Sequence, residues 1–193
     1  LSEIVSAEEA LEAASRPGVR GLVFSGGPAS VYEESAPRTP PLLLEQGLPI
    51  LGICYGLQLI ALQLGGTVER ADTREYGAAQ LTLIEPVGIF AGAGSPSQVW
   101  MSHGDSVRSL PVGFRPLGST EDCPYAAISN PEKNIYGVQF HPEVLGTNEG
   151  DLYLSNFIRI CGLTETWKMD DYLERIVREL REAYGSRRVF MLI

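Results

Sequence analysis

The residues with the clearest chemical potential lie in Gly52-Ile53-Cys54-Tyr55-Gly56, where a thiol stands between two glycines. An apolar run over residues 48–53 leads into this segment, and an amphipathic helical pattern follows it at once. This order predicts a strand, a sharp turn and a helix with Cys54 at the apex, which is a nucleophile elbow. Glycines are needed there because a neighbouring Cβ would clash with the strained turn. A thiol at a helix N-terminus also faces free N–H groups and the helix dipole, which favour the thiolate.

A cysteine nucleophile requires a general base, and the chain has two histidines, His103 and His141. His141 follows the apolar run 135–140, and Glu143 lies two residues further on. Residues i and i+2 of an extended segment point to the same side, so Glu143 would orient His141 toward a thiol. The alternatives are a buried packing cysteine and a surface histidine beside a solvated glutamate. The presence of the elbow cysteine together with the His141–Glu143 pair favours a triad of Cys54, His141 and Glu143 over these alternatives.

Backbone donors for an oxyanion are expected at two places. Ser25-Gly26-Gly27-Pro28 follows a short apolar strand, at the end where parallel sheets place their sites. Its Gly-Gly turn would aim an N–H group at the reacting carbonyl, although the same residues also suit a simple turn. The amide of Tyr55, directly after the thiol, would supply the second donor.

The elements that must position these residues alternate between strand and helix. The patterns predict strands over 21–24, 48–53, 67–70, 80–84, 98–101, 126–129 and 135–140, and a further strand beginning at 189. They predict helices over 6–14, 37–45, 55–64, 152–160 and 170–184, with Ser6 and Glu9 as a capping pair. Alternation of large and polar or small residues over 135–140 predicts a strand with one buried face.

Composition limits the classes of function. A chain of 193 residues with 44% hydrophobic and 20% charged residues suits one globular domain or a domain with a linker. The net charge of -9 argues against nucleic acid or an anionic membrane as the main partner, and no apolar run approaches a membrane span. Cys54, Cys123 and Cys161 are odd in number and widely spaced, which argues against a disulfide framework or a metal site. A reduced, cytoplasmic setting is expected, with Cys123 and Cys161 as packing residues.

Four segments, taken together and in this order, resemble the class I, or triad, glutamine amidotransferases. They are Ser25-Gly26-Gly27-Pro28, Gly52-Ile53-Cys54-Tyr55-Gly56-Leu57-Gln58, Trp100-Met101-Ser102-His103-Gly104-Asp105 and Gly137-Val138-Gln139-Phe140-His141-Pro142-Glu143. The resemblance covers about residues 22–144. It implies an α/β fold of three layers, with an open, mostly parallel, flavodoxin-like sheet and flanking helices. It also implies hydrolysis of L-glutamine through a γ-glutamyl thioester, with release of ammonia.

The resemblance further implies a role for each matching position. Cys54 would be the nucleophile, His141 the base and later the acid, and Glu143 the residue that orients His141. The oxyanion donors would be the amides of Gly27 and Tyr55. Glutamine would be held by Gly26, Gln58, Ser102, Gly104 and Asp105. His103 would be structural, and this domain would need no metal or cofactor.

Within that family, the Cys-Tyr-Gly-Leu-Gln and Met-Ser-His-Gly-Asp variants, with Glu75-Tyr76-Gly77 between them, are most similar to members whose ammonia aminates XMP to GMP. In those members a second, ATP pyrophosphatase domain uses ATP and magnesium. The organisation expected is an amidotransferase domain over 1–161 that lacks its first strand, a linker and helix over 162–185, and the start of a synthetase domain over 186–193. The expected partners are L-glutamine, that second domain and another copy in a homodimer.

Two other functions fit the same elbow. One is a different cysteine hydrolase of this class, such as a γ-glutamyl hydrolase or an intracellular peptidase; Gln58 and the segment 101–105 argue against it. The other is a non-catalytic regulatory protein of the same fold, against which the intact Cys54, His141 and Glu143 argue.

Overall fold

The computed structural model of the chain describes residues 2–164 and 169–185. Residues 4–163 form one compact unit, and residues 1–3 with those from 164 onward form the other. The first unit contains, in chain order, α1 (Ala10–Ala14), β1 (Leu22–Phe24), β2 (Ile50–Ile53), α2 (Tyr55–Gln63), β3 (Thr67–Leu83), β4 (Ser97–Ser109), β5 (Arg115–Ser119), β6 (Ala127–Asn130), β7 (Ile135–Val138) and α3 (Gly150–Ile160). Short 3-10 turns cover Pro41–Glu45 and Gly88–Phe90.

The strands form one seven-stranded sheet in the order β1-β2-β7-β6-β5-β3-β4. The predicted α/β sheet with flanking helices is confirmed, but the sheet is mixed rather than mostly parallel. Among the described strands, the pairs β1–β2 and β2–β7 are parallel, and the other four pairs are antiparallel. The physical reason is the short connections among β3 to β7, which hold no α-helix in the described residues. Without a helical crossover, neighbouring strands pair antiparallel.

The central strands are buried on both faces. Along β2, Ile50 belongs to the apolar cluster that includes α2, whereas Leu51 belongs to the cluster on the opposite side. The prediction that β7 has one buried face is wrong, because Ile135 and Tyr136 likewise enter opposite clusters. A strand covered on both faces is expected for the parallel centre of an α/β sheet. The carboxyl ends of β2 and β7 carry the candidate site.

Several element boundaries differ from the predictions. The two strands expected over 67–70 and 80–84 are one long strand, β3, which pairs with β4 over most of its length. β5 was not predicted, since Pro116 and Gly118 interrupt its pattern. The helix expected over 6–14 is confirmed only as Ala10–Ala14. The capping pair lies just before it: Ser6 Oγ donates to Glu9 Oε2 at 2.9 Å, and the Glu9 amide donates to Ser6 Oγ.

The second unit contains α4 (Met169–Tyr184), which confirms the predicted helix at 170–184. On this helix Arg175 Nε lies 3.7 Å from Glu179 Oε1, an ion pair between residues four positions apart. The strand predicted from residue 189 lies outside the described residues. None of the helices within 2–164 and 169–185 has the length and apolar character that crossing a bilayer requires.

Candidate active site

Cys54 stands at a strained turn between β2 and α2. Its backbone has φ 49° and ψ -105°, a conformation that side-chain-bearing residues rarely adopt, and its amide donates to the Val138 carbonyl at 2.8 Å. Both flanking glycines are required by space. A Cβ on Gly52 would lie 2.8 Å from the backbone of Gly56, and a Cβ on Gly56 would lie 2.1 Å from the carbonyl oxygen of Phe24. The geometry is that of a nucleophile elbow.

His141 and Glu143 meet as predicted, although Pro142 and Glu143 lie in a turn after β7 and not in an extended segment. The carboxylate Oε1 of Glu143 accepts from Nδ1 of His141 at 2.7 Å. Because a carboxylate only accepts, Nδ1 carries the hydrogen and Nε2 is left to take a proton. Gly26 borders both groups of the reaction: a Cβ there would lie 2.8 Å from His141 Cε1 and 3.6 Å from Cys54 Cβ. The structure therefore brings Cys54, His141 and Glu143 to one place, around a backbone with no side chain.

The thiol of Cys54 is more basic than the elbow alone suggests. Burial raises its pKa to about 11, and the charge of Glu143 adds to this, although the Tyr55 amide and the Gln139 side chain act in the opposite direction. The helix N-terminus favours the thiolate, as expected, but the loss of solvent around the sulfur has the larger effect on its pKa. Cys54 is 4% exposed, and its Sγ also lies 3.6 Å from the Ser102 carbonyl, which suits a protonated thiol.

Gln139 is a site residue that the sequence reasoning missed. Its side chain is fully buried; its Nε2 lies 3.6 Å from the Cys54 Sγ, and its Oε1 accepts from Gln58 Nε2 at 3.4 Å. Gln139 directly follows β7, a strand covered on both faces, and a buried polar side chain there must be hydrogen-bonded. A glutamine between this strand and His141 was therefore the signal that the sequence offered. Gln139 is the only side-chain donor to the thiol that the described residues show.

Alkylation of Cys54 by iodoacetamide is expected to accelerate about tenfold per pH unit through the neutral and mildly alkaline range, because its pKa is about 11. Gln139→Leu should slow the reaction about tenfold at fixed pH, since it removes a hydrogen bond that the thiolate accepts. Mass spectrometry of the Cys54 peptide gives the rate. Gln80→Leu, an exposed substitution on β3, should leave the rate unchanged. A rate that levels off near neutral pH would contradict the high pKa.

The residues predicted to hold glutamine include Ser102, whose carbonyl contacts the thiol, and Gln58, which is bonded to Asp105. Gln58 is 3% exposed, and its Nε2 donates to the Asp105 carbonyl at 2.7 Å, so it lies behind the thiol with its amide nitrogen engaged. Ser102 is exposed, and its carbonyl faces Cys54. The carboxylate of Asp105 accepts from the Ser30 hydroxyl, while Gly104 lies half-buried between them on β4.

The two predicted oxyanion donors are neighbours. A Cβ on Gly27 would lie 3.9 Å from Tyr55 Cγ, which places the Gly-Gly turn after β1 against the start of α2. The Tyr55 amide acts on the Cys54 sulfur, and the Tyr55 hydroxyl donates to the Pro37 carbonyl, which fixes the side chain away from the thiol.

The side chain of His103 is outside this group and contacts Asp105 and Glu75 instead. It is buried, with Nδ1 3.0 Å from the Asp105 carbonyl and Nε2 3.2 Å from Glu75 Oε2. Burial lowers its pKa, against the opposing charge of Glu75. Both ring nitrogens of His103 are thus engaged by Asp105 and Glu75, and the structural role predicted for it stays a prediction.

With the fold and this geometry in place, the comparisons with known proteins agree on one class. The profile of the family described as "Glutamine amidotransferase class-I" matches residues 2–161. The chain belongs to the class I glutamine amidotransferase family. Within it, the chain matches the amidotransferase part of proteins named GMP synthase (glutamine-hydrolyzing). It is 50% identical to that of Heliobacterium modesticaldum over 171 residues, which are 88% of this chain and 33% of the relative. It is 44% identical over its whole length to that of Thermosynechococcus vestitus, of which it covers 36%.

Solved structures agree with the fold. The crystal structure of a GMP synthase subunit from Thermoplasma acidophilum is 31% identical with a TM-score of 0.73, and the match covers 92% of this chain and 84% of that one. A glutamine amidotransferase from Thermotoga maritima is 26% identical with a TM-score of 0.56, covering 84% of this chain and 69% of the other. The chain spans about a third of the length of the curated relatives it matches.

Proposed function

We propose that this chain hydrolyses L-glutamine and supplies the ammonia for amination of XMP to GMP by an ATP pyrophosphatase domain of the same enzyme. The observation that carries the proposal is the meeting of Cys54 and the Glu143-paired imidazole of His141 around Gly26. In this proposal the chain contributes a domain over 1–161 and a linker and helix over 162–185, and 186–193 begin the synthetase domain. ATP and magnesium act in that second domain, and the enzyme is a cytoplasmic homodimer of purine nucleotide biosynthesis.

The proposed reaction begins with proton transfer from the Cys54 thiol to Nε2 of His141, which Glu143 holds in the required tautomer. This transfer is needed because the resting thiol has a pKa of about 11 and is protonated at neutral pH. The thiolate attacks the γ-carbonyl of glutamine, and the oxyanion lies against the amides of Gly27 and Tyr55. His141 returns the proton to the leaving nitrogen, and ammonia departs as the γ-glutamyl thioester forms.

Hydrolysis completes the cycle in the reverse sense. His141 takes a proton from water, the resulting hydroxide attacks the thioester, and glutamate leaves as Cys54 regains its proton. The α-amino and α-carboxylate groups of the substrate are held at the Gly26, Gln58, Ser102, Gly104 and Asp105 positions. Because Asp105 offers a carboxylate and the segment 102–104 offers backbone groups, the pocket favours a zwitterionic amino-acid end over a neutral amide.

An electrophilic glutamine analogue with a chloroketone in place of the carboxamide is expected to alkylate Cys54, and L-glutamine should protect it. Cys123 and Cys161 lie on other segments, outside the proposed site, and should stay unmodified. Peptide mass spectrometry locates the adduct. The matched control is a chloroketone of equal length without the α-amino acid end, which should react far more slowly. Labelling of Cys123 or Cys161 in preference to Cys54, or equal rates for the two reagents, would overturn the proposed site.

A further inference from the structure

Three metal-ligating side chains meet in the interior of the first unit, from segments that are far apart in the sequence. Glu75 lies on β3, His103 on β4, and Cys123 in the connection between β5 and β6. A carboxylate oxygen, an imidazole nitrogen and the thiol sulfur all lie within 4.8 Å of one another. We propose that Glu75, His103 and Cys123 bind a zinc ion, with water in the fourth position.

The distances suit a tetrahedral ion after a small movement. Zinc bonds of about 2.0–2.3 Å put neighbouring ligand atoms about 3.3–3.7 Å apart. His103 Nε2 is already 3.2 Å from Glu75 Oε2, close to one edge of such a tetrahedron. The three ligand atoms lie within 4.8 Å of one another, so the widest separation must close by about 1 Å to reach this spacing. The combination of thiolate, imidazole and carboxylate suits zinc better than calcium or magnesium, which prefer oxygen ligands alone.

The hydrogen bonds of His103 also favour a cation between it and Glu75. Its Nδ1 is 3.0 Å from the Asp105 carbonyl, and its Nε2 faces the Glu75 carboxylate, so both ring nitrogens meet acceptors. A neutral imidazole has one N–H group and satisfies only one of them. With Nδ1–H donated to the carbonyl, the lone pair of Nε2 is directed at Glu75. That is the orientation that histidine zinc ligands adopt, with the other nitrogen donating to a backbone carbonyl.

The remaining two ligands are supported in a similar way. The Thr120 hydroxyl donates to Glu75 Oε1 at 3.0 Å, which leaves Oε2 for the ion. Thr120 also closes a turn with Cys123: the Cys123 amide donates to Thr120 Oγ1 at 3.1 Å, and the Thr120 amide donates to the Cys123 carbonyl at 2.9 Å. The turn thus holds the carboxylate and presents the thiol from the same four residues, 120–123.

A route for a cation leads to the cluster. A cavity of about 420 Å³ opens beside Glu75, and its lining includes the carboxylates of Glu121 and Asp122. Fields from acidic walls raise the local concentration of cations. Glu75 is the most accessible of the three ligands, with 11% of its side chain exposed, whereas His103 and Cys123 lie deeper. The ion would therefore enter from this acidic cavity.

Zinc binding is tested in a chain carrying Cys54→Ser, because Cys54 and His141 form a second cysteine–histidine pair that could hold the ion. After removal of metal with a chelator, titration against a chromophoric chelator should give one Zn²⁺ per chain with a Kd of about 1 μM or tighter. Co²⁺ in place of zinc should show a thiolate charge-transfer band and the strong visible bands of tetrahedral coordination. Cys123→Ser should weaken Zn²⁺ binding at least about 100-fold and abolish the charge-transfer band.

Cys161→Ser is the matched control, since Cys161 is also a buried cysteine of this unit and should leave both signals unchanged. If Cys123→Ser fails to fold, Glu75→Gln is used, because it keeps the side-chain volume and should weaken binding at least about tenfold. The proposal would be overturned by absence of stoichiometric binding, or by a Co²⁺ spectrum without the thiolate band. Binding that both Cys123→Ser and Glu75→Gln retain would also overturn it. These signals require no glutamine, so they are independent of the proposed glutaminase activity.

Discussion

Replacing Cys54 with alanine is expected to abolish glutamine-dependent formation of GMP while leaving ammonia-dependent formation intact. The thiolate is the only group proposed to attack the γ-carbonyl, and alanine cannot form the thioester. We expect glutamine hydrolysis to fall at least about 10⁴-fold, as the removal of a nucleophile does in triad enzymes. Free ammonia would still reach the second domain, because the proposed nucleotide chemistry takes place there and uses none of the residues around Cys54.

The measurement uses this chain joined to its proposed ATP pyrophosphatase domain, with GMP formation followed from glutamine and, separately, from ammonium chloride. Cys161→Ala is the control, since it removes a buried thiol that lies against Gly21 at the start of β1, and both activities should persist. Loss of both activities in Cys54→Ala would mean that this residue is needed for the fold. Retention of both would exclude Cys54 as the nucleophile.

The features predicted best from the sequence are those set by residues close together in the chain. The elbow needs two glycines around Cys54, and the backbone clash that a Cβ on Gly52 would make with Gly56 arises within this one turn. The pairing of His141 with Glu143 joins residues only two positions apart, although the structure places Pro142 and Glu143 in a turn and not in extended chain. Local geometry of this kind fixes the spacing of residue types along the chain, and that spacing can be read from a single sequence.

Contacts between distant segments could not be predicted in this way. Gln139 reaches Cys54 across 85 positions of sequence, and its burial depends on α2 covering the face of β7 that alternation had placed in solvent. The Glu75–His103–Cys123 cluster depends on the register of β3 against β4, in which Glu75 lies opposite His103. No Cys-x-x-Cys or His-x-x-His spacing announces such a site, because each ligand comes from a different element.

The pKa of the Cys54 thiol also depends on both local effects, which the sequence predicts, and contacts between distant segments, which it does not. Dipole and amide effects at a helix N-terminus follow from local sequence and predict a lowered pKa for Cys54. Burial depends on how the whole unit packs, and it raises the pKa to about 11. Since the charge of Glu143 raises the pKa of Cys54 further, the resting nucleophile is a neutral thiol. In the proposed reaction, activation therefore depends on proton transfer from the thiol to His141 and not on a thiolate already present in the free chain.

The second large effect is expected for Gly56→Ala, which should destabilise the chain by about 3 kcal/mol or more. On helix propensity alone, alanine in α2 would be stabilising by up to about 1 kcal/mol. The sign is reversed because the new Cβ would lie 2.1 Å from the Phe24 carbonyl oxygen and 2.7 Å from the Phe24 carbonyl carbon. Both are backbone atoms of β1, so no side-chain rotation relieves the overlap and the helix must move away from the sheet.

That movement would also separate the Gly26–Gly27 turn, which follows β1, from Cys54, so the proposed glutaminase activity should fall together with stability. Urea unfolding followed by circular dichroism measures the free energy. Gly94→Ala is the matched control, because its Cβ would meet nothing closer than 3.7 Å and its unfolding free energy should stay within about 0.5 kcal/mol of the parent. If the unfolding free energy of Gly56→Ala matched that of this control, α2 would be able to move away from β1 with no loss of stability. The close contact between β1 and α2 would then not explain the strained backbone of Cys54.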